Sequence, residues 1–388
     1  MKRLIAGVVC AFALLLASSA QAAPEGKYKN FKVAIYVVVN ATKRLADPEV
    51  FAAEYARASA QLKFDKVYIE VYRNRLFATD EEIEKVKAAF LAKGVAVAGG
   101  ITPAAGGADG QFGTFDYEDE KDRAECRKAA ELAAKHFDQV ILDDFFFYTS
   151  KTEADIAAKG GRSWTEYRLA AMREASKSLI LDPAHAANPR AKVVIKYPNW
   201  YEHFQGLGYD LEQQSQMFDG IYTGTETRDP TLTDQLLQQY ESYQIIRYYD
   251  AIRPGGNGGG WVDTYSLRYV DRYAEQLWDT IFAKAPEITL FNWADLIREE
   301  QVPAGERPWA PLKTSFDWAA ASKPFPGNVP AGWGKAAGVA LEAVDRVAGH
   351  LGNPVGIAAY KPYQSSGEDF LQNYLGNLGL PLAMTPEF

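Results

Sequence analysis

The sequence predicts an α/β protein: a closed (β/α)8 TIM barrel followed by a partial α/β segment at the carboxyl end. Strand-like and helix-like runs alternate eight times across residues 31–293, the pattern of a parallel sheet with crossover helices. No Gly-x-Gly-x-x-Gly fingerprint follows the first strand, which argues against a dinucleotide-binding sheet. The stretch FDQVILDDFFFYTS, Phe137 to Ser150, reads as a buried strand that runs directly into Asp143 and Asp144. Charges at the carboxyl end of such a strand stand where a barrel does its chemistry.

Taken in order, Phe31 to Val39 is the first strand, and Pro48 to Leu62 is a helix with Asp47 as N-cap. Lys66 to Tyr72 is the second strand. Asp80 to Lys93, closed by Gly94, is the next helix. Val95 to Ile101 is the third strand, with a Gly-rich loop to Gly113 and a helix from Glu120 to Lys135. Gln139 to Leu142 is the fourth, followed by a long loop and a helix from Ser163 to Ile180. Lys192 to Tyr197 is the fifth strand, and Leu211 to Met217 is helical. Gly220 to Thr223 is the sixth strand, with a helix from Thr233 to Ser242. The seventh strand is placed at Gly260 to Thr264, with Tyr243 to Tyr249 as the competing position. Leu267 to Lys284 is a strong helix, and Glu287 to Trp293 is the eighth strand.

Beyond the barrel, expected over residues 23–302, Pro303 to Pro330 reads as a linker, and Trp333 to Leu351 as an Ala-rich helix packed on the barrel. Residues 352–388 then hold a strand, Val355 to Tyr360, an amphipathic helix to Leu375, and Leu380 to Leu382. A single βα unit cannot cover its own sheet, so this segment reads as the opening of a further α/β domain that stops early, and as the place for any oligomer contact.

The first 22 residues pair Lys2 and Arg3 with the apolar run Leu4 to Ala17 and a small-residue site at Ala20-Gln21-Ala22. This is a Sec-type signal peptide pattern, implying a periplasmic or secreted protein. No later stretch is apolar enough to cross a bilayer. Cys10 leaves with that peptide, so Cys126 stands alone and no internal disulfide is expected. The formal net charge is −8, and losing Lys2 and Arg3 makes it more negative, which excludes nucleic acid and anionic membrane as partners. The four His residues show no metal-ligand spacing. Neither a cofactor nor a metal is expected; the one metal alternative is calcium held by Thr225 to Asp229 with Asp143.

The carboxyl ends of the strands, read as one rim, bring together Glu70, Arg73, Asp143, Asp144, Lys196, Tyr197, Asn199, Trp200, Tyr222, Glu226, Arg228, Asp263, Asn292 and Trp293. Carboxylates supply acid, base or nucleophile, amides and cations bind hydroxyls, and Trp and Tyr stack on a sugar ring. An oligo- or polysaccharide is therefore the expected partner. Asp144 is expected as ionised nucleophile or charge stabiliser beside Lys196, with Glu226 as acid/base. Because side chains alternate along a strand, Asp143 and Asp144 are not expected to enter the site alike, and the roles pass to Asp143 if it faces inward. Glu70 has two readings, a substrate contact and a salt bridge to Arg73. Asp263 has two as well, a substrate contact and a turn.

The motifs VILDDFFFY, VVIKYPNWYEHFQGLGYD and FDGIYTGTETRD resemble barrel glycoside hydrolases and the hydrolase-like proteins of bacterial polysaccharide utilisation. The pairing of a fourth-strand Asp with a carboxylate after strand six is similar to the α-galactosidase and α-glucosidase group, where both partners are usually Asp; here the second is Glu226. The resemblance implies an exported, cofactor-free glycoside hydrolase, with a non-catalytic carbohydrate-binding barrel as the alternative. The tail GIAAYKPYQSSGEDFLQNYLGNLGLPL looks like the start of the amidotransferase-like domain that follows the barrel in some β-galactosidase relatives.

Overall fold

The computed structural model describes residues 26–106, 113–199, 204–235, 237–303, 323–324, 330, 332–363 and 370–387. The expected signal peptide, Trp200 and most of the expected linker lie outside the described residues.

Eight parallel strands close on themselves. The first, Lys32–Val37, pairs with both the second, Lys66–Arg73, and the eighth, Glu287–Phe291. Between them run Ala96–Ile101, Gln139–Leu142, Lys192–Tyr197, Gly220–Gly224 and Asn257–Asp263, in sequence order around the barrel. Leu76–Phe77 adds a short antiparallel strand to the end of the second.

The helix boundaries follow their end signals. Asp47 accepts from the backbone of Glu49 and Val50 ahead of Pro48–Gln61, and Gly94 takes a positive φ after Asp80–Ala92. A capping box at Thr79/Glu82 starts that second helix, and boxes at Thr152/Asp155 and Ser163/Glu166 start two more. The seventh strand, Asn257–Asp263, overlaps the expected Gly260 to Thr264 but starts three residues earlier, and the competing segment is helical, within Glu241–Ile252. The helix expected from Thr233 to Ser242 forms later than anticipated, over that same stretch. Its buried face is Ile245, Ile246, Tyr249 and Ile252, a helical spacing, whereas Asp229 spends its side chain on the Thr231 turn before it. Trp164–Ala175 also runs on, through a π-helical turn at Ser176–Leu181 into Asp182–Ala187.

Alternation along the strands sorts side chains into two cores. Ala34, Tyr36, Tyr68, Ala98, Ile141, Val194, Tyr222 and Trp261 fill the lumen, while residues of opposite parity, such as Val33, Ile35, Val67, Ile69, Val193 and Ile195, pack under the helices. At the amino-terminal end of the lumen, Tyr68 and Tyr222 donate to Glu287, which also pairs with Lys66. Gly100 in the third strand leaves room for the Tyr36 ring, which a Cβ there would meet at 2.7 Å.

The helix Trp333–Ala348 packs on Val270–Phe282, with Trp278 Nε1 donating to the Ala340 carbonyl at 2.8 Å. Gly338 lets it approach the end of the helix Pro48–Gln61 closely, since a Cβ there would run into the Gln61 carbonyl oxygen. Gly338→Ala is expected to lower unfolding free energy by about 1–3 kcal/mol through overpacking. An unchanged urea midpoint would show that this helix is not part of the barrel's cooperative unit. The tail forms one parallel pair, Ile357–Tyr360 with Leu382–Thr385, connected through Phe370–Asn377 and held to the barrel by Tyr240 Oη, which accepts from Leu382 N at 2.8 Å. Among the described residues no helix is long and apolar enough to cross a membrane.

Candidate active site

The carboxyl-terminal mouth is organised around one buried ammonium. Lys196 shares inward parity with Val194 on the fifth strand, and its Nζ lies 2.6 Å from Asp144 Oδ2, 3.0 Å from Glu226 Oε1 and 3.4 Å from Asp143 Oδ1. Three N–H bonds thus face three carboxylates. Beneath them the Trp261 ring centroid is 4.5 Å from Nζ. Asp144 and Glu226 touch the same nitrogen, so their facing oxygens are at most about 5.6 Å apart, an upper bound compatible with a retaining glycosidase pair.

Both aspartates reach the centre, contrary to the expectation from alternation. The strand ends at Leu142, so Asp143 keeps the inward parity of Ile141 while Asp144 swings in from the turn beyond. Asp143 accepts from Arg73 Nη2 and Thr102 Oγ1, both at 3.0 Å, and from its neighbour's backbone N at 2.9 Å. Tyr209 donates to the Asp144 carbonyl and pins that turn. Glu226 Oε1 accepts from Lys196, whereas Oε2 is buried without a hydrogen-bond partner. Gly224 makes this possible: a Cβ there would lie 2.6 Å from that oxygen.

The two aspartates differ electrostatically. Burial, with the charges of Asp143 and Glu226 adding to it, pushes the Asp144 carboxyl up to about 7 against the opposing pull of Lys196. Burial acts on Asp143 too, but Lys196, Arg73 and the two hydrogen bonds outweigh it and hold that carboxyl below its ordinary value. The expectation that Asp144 is the ionised member is therefore reversed: Asp143 is held as the anion, and Asp144 is the group that keeps a proton near neutrality. Lys196 is buried, but its carboxylates hold it above its ordinary value and thus charged. Lys196→Met should leave three buried carboxylates without their cation, at a cost of about 3–5 kcal/mol. With that cation gone, Asp144 is raised further above its unfolded value. The loss should accordingly deepen as pH rises and be smaller at pH 5 than at pH 8, measured by denaturant titration.

Other rim residues divide. Glu70 takes the salt-bridge reading: fully buried, it accepts from Tyr36, Thr102, Arg73 and the Val39 backbone, and so presents Arg73 to Asp143. Arg73 also lies over the rings of Phe145 and Phe291. Arg228 and Asp263 form a bidentate pair at 2.7 and 3.1 Å, and burial pushes the Asp263 carboxyl up to about 6 despite Arg228. Asn199 is buried and donates through Nδ2 to the Glu226 carbonyl, leaving Oδ1 without a partner.

Four expected contacts are corrected. Tyr197 has outward parity and stacks on Tyr249. Trp293 also faces outward, packing on Phe64 and Phe90 and donating to Glu54. Tyr222 lies deep in the lumen, hydrogen-bonded to Thr289 and Glu287. Asn292 caps the helix Trp293–Ile297. Of the residues in the calcium alternative, Asp229 is held by Arg268 and Thr231, and Asp143 and Glu226 by Lys196. Trp261 went unnoticed in the sequence, although it sits two residues before Asp263 and so shares its face.

Residues 19–350 match the family described as probable glycosyl hydrolase, catalytic domain. The chain belongs to that family. Over 306 aligned residues this glycosyl hydrolase-family chain is 26% identical to an uncharacterised protein of Saccharolobus solfataricus, the match covering 70% of this chain and 50% of that relative. The domain thus spans half the length of that relative. Its barrel is also similar to two solved structures. A GH5_18 variant from Streptomyces cattleya, in complex with Manβ1-4GlcNAc, superposes with a TM-score of 0.55 at 11% identity, over 92% of this chain and 94% of that one. The α-L-fucosidase isoenzyme 2 of Paenibacillus thiaminolyticus gives 0.53 at 9%, over 87% and 54%. At such identities the likeness is one of fold.

Proposed function

We propose that this domain hydrolyses a glycosidic bond of an oligo- or polysaccharide with retention of configuration, Glu226 acting as nucleophile and Asp144 as acid/base. The observation that carries this reading is the convergence of three carboxylates on the single Lys196 ammonium, with one buried Glu226 oxygen left open. In the first step Glu226 Oε2 attacks the anomeric carbon while Asp144 gives its proton to the departing oxygen. In the second, Asp144 takes a proton from water as that water displaces Glu226. Asp143 and Arg73 are positioning residues: their fixed ion pair favours the proton on Asp144 rather than on its neighbour.

Export through the amino-terminal segment and a role in assembly for the amidotransferase-like tail complete the proposal, supported by the sequence patterns of those segments. Hydrolysis screened over a panel of α- and β-linked glycans tests the activity. A folded protein that binds an oligosaccharide and releases no product from any of them would mark a carbohydrate-binding barrel instead.

A further inference from the structure

Each cation placed among these carboxylates is already engaged. Lys196 serves Asp143, Asp144 and Glu226; Arg73 bridges Glu70 and Asp143; Arg228 grips Asp263 with both arms of its guanidinium. Among the described residues these five carboxyl groups, all buried, outnumber the three cations, and with Asp144 holding its proton as the proposed acid four carboxylates still face three cations. The unmet hydrogen-bonding capacity has the same sense. Glu226 Oε2 and Asn199 Oδ1 are buried acceptors without donors. The Asn199 amide is fixed in that sense, because its Nδ2 already donates to the Glu226 carbonyl. A ligand entering here meets acceptors and negative charge. Hydroxyl or ammonium groups satisfy both, while a carboxylate or sulfate would be stripped of water and left facing like charge.

We infer that the ring bound at this centre is a neutral or amine-bearing sugar, and that uronic acids and sulfated sugars are excluded. The inference rests on the proposed hydrolysis for its kinetic form, and on the charge and acceptor inventory alone for its binding form.

The test compares aryl glycosides sharing one leaving group and one ring configuration, differing only as hydroxymethyl, 6-carboxylate or 2-amino forms. The 6-carboxylate form should show kcat/KM lower than the neutral form by roughly a hundredfold or more. Asp263→Asn should free Arg228 and narrow that ratio by about tenfold. A uronide cleaved as well as its neutral counterpart would overturn the inference while leaving the hydrolase reading intact. If no glycoside turns over, the hydrolase reading falls separately. Ligand-observed NMR with gluco, galacto and manno sugars as free sugar, uronate and amine then decides: preference for the uronates rejects the inference, and preference for the neutral or amine forms upholds it.

Discussion

Glu226→Gln should abolish turnover of natural and activated glycosides alike, by about four orders of magnitude or more, if Glu226 is the proposed nucleophile. The amide keeps the shape of the side chain but cannot form the covalent glycosyl intermediate, and a good leaving group does not replace a missing nucleophile. Because the substitution is nearly isosteric, binding of an oligosaccharide should survive within a few-fold. In Glu226→Ala, which removes the side chain and leaves its space open, added azide should restore cleavage of an activated substrate with inverted product, since a small anion fits where the carboxylate stood. Retained activity on activated glycosides, with loss confined to natural ones, would mean that Glu226 supplies the proton and that the roles are the other way round.

Asp144→Asn produces the opposite pattern. Natural substrates should lose roughly 10²–10⁴ in kcat/KM, the usual worth of general acid catalysis, while aryl glycosides with acidic leaving groups keep most of their first-step rate. The pH profile gives an independent reading. In the unaltered protein activity should fall as pH rises through about 7, where Asp144 loses its proton. In Asp144→Asn that basic limb should be missing for activated substrates. A basic limb that persists unchanged in the variant would assign the proton to another group, with Asp263, pushed up to about 6, the next to examine.

The barrel was legible from the sequence because most of its strands carry apolar runs and its helices begin with capping residues; seven strands fall within two residues of those signals, and the seventh starts three residues early because its glycines belong to the strand and not to a turn. The centre was legible in composition and partly misread in direction. Parity alone separates Lys196 from Tyr197, Phe291 from Asn292, and Trp261 and Asp263 from their outward neighbours, so the Tyr197 assignment fails on a rule that needs only the sequence, whereas Trp293 shares the parity of Phe291 and is turned away because the strand gives way there to the helix Trp293–Ile297. Tyr222 obeys that rule and fails on depth, since it points inward a full turn of the pleat below the mouth. The protonation of Asp144 was not legible, because it depends on how many charges share Lys196 and on Arg73 being turned to Asp143 by Glu70. Such long-range arithmetic has no signature in the local pattern. The helix Glu241–Ile252 was missed at its start because Asp229 and Thr231 form a turn that delays it.

The tyrosine and tryptophan rings stacked in the lumen, anchored below by Glu287 and Lys66, make the described barrel a blind well. Traffic is then confined to one entrance: the departing portion of the chain, the incoming water and any competing alcohol must follow one another through it. In the proposed mechanism, a glycosyl group waiting on Glu226 would be exposed to whichever acceptor reaches the opening first. Bulk acceptor concentration rather than internal routing should set the partition between hydrolysis and glycosyl transfer, so new glycosides should accumulate in proportion to added alcohol.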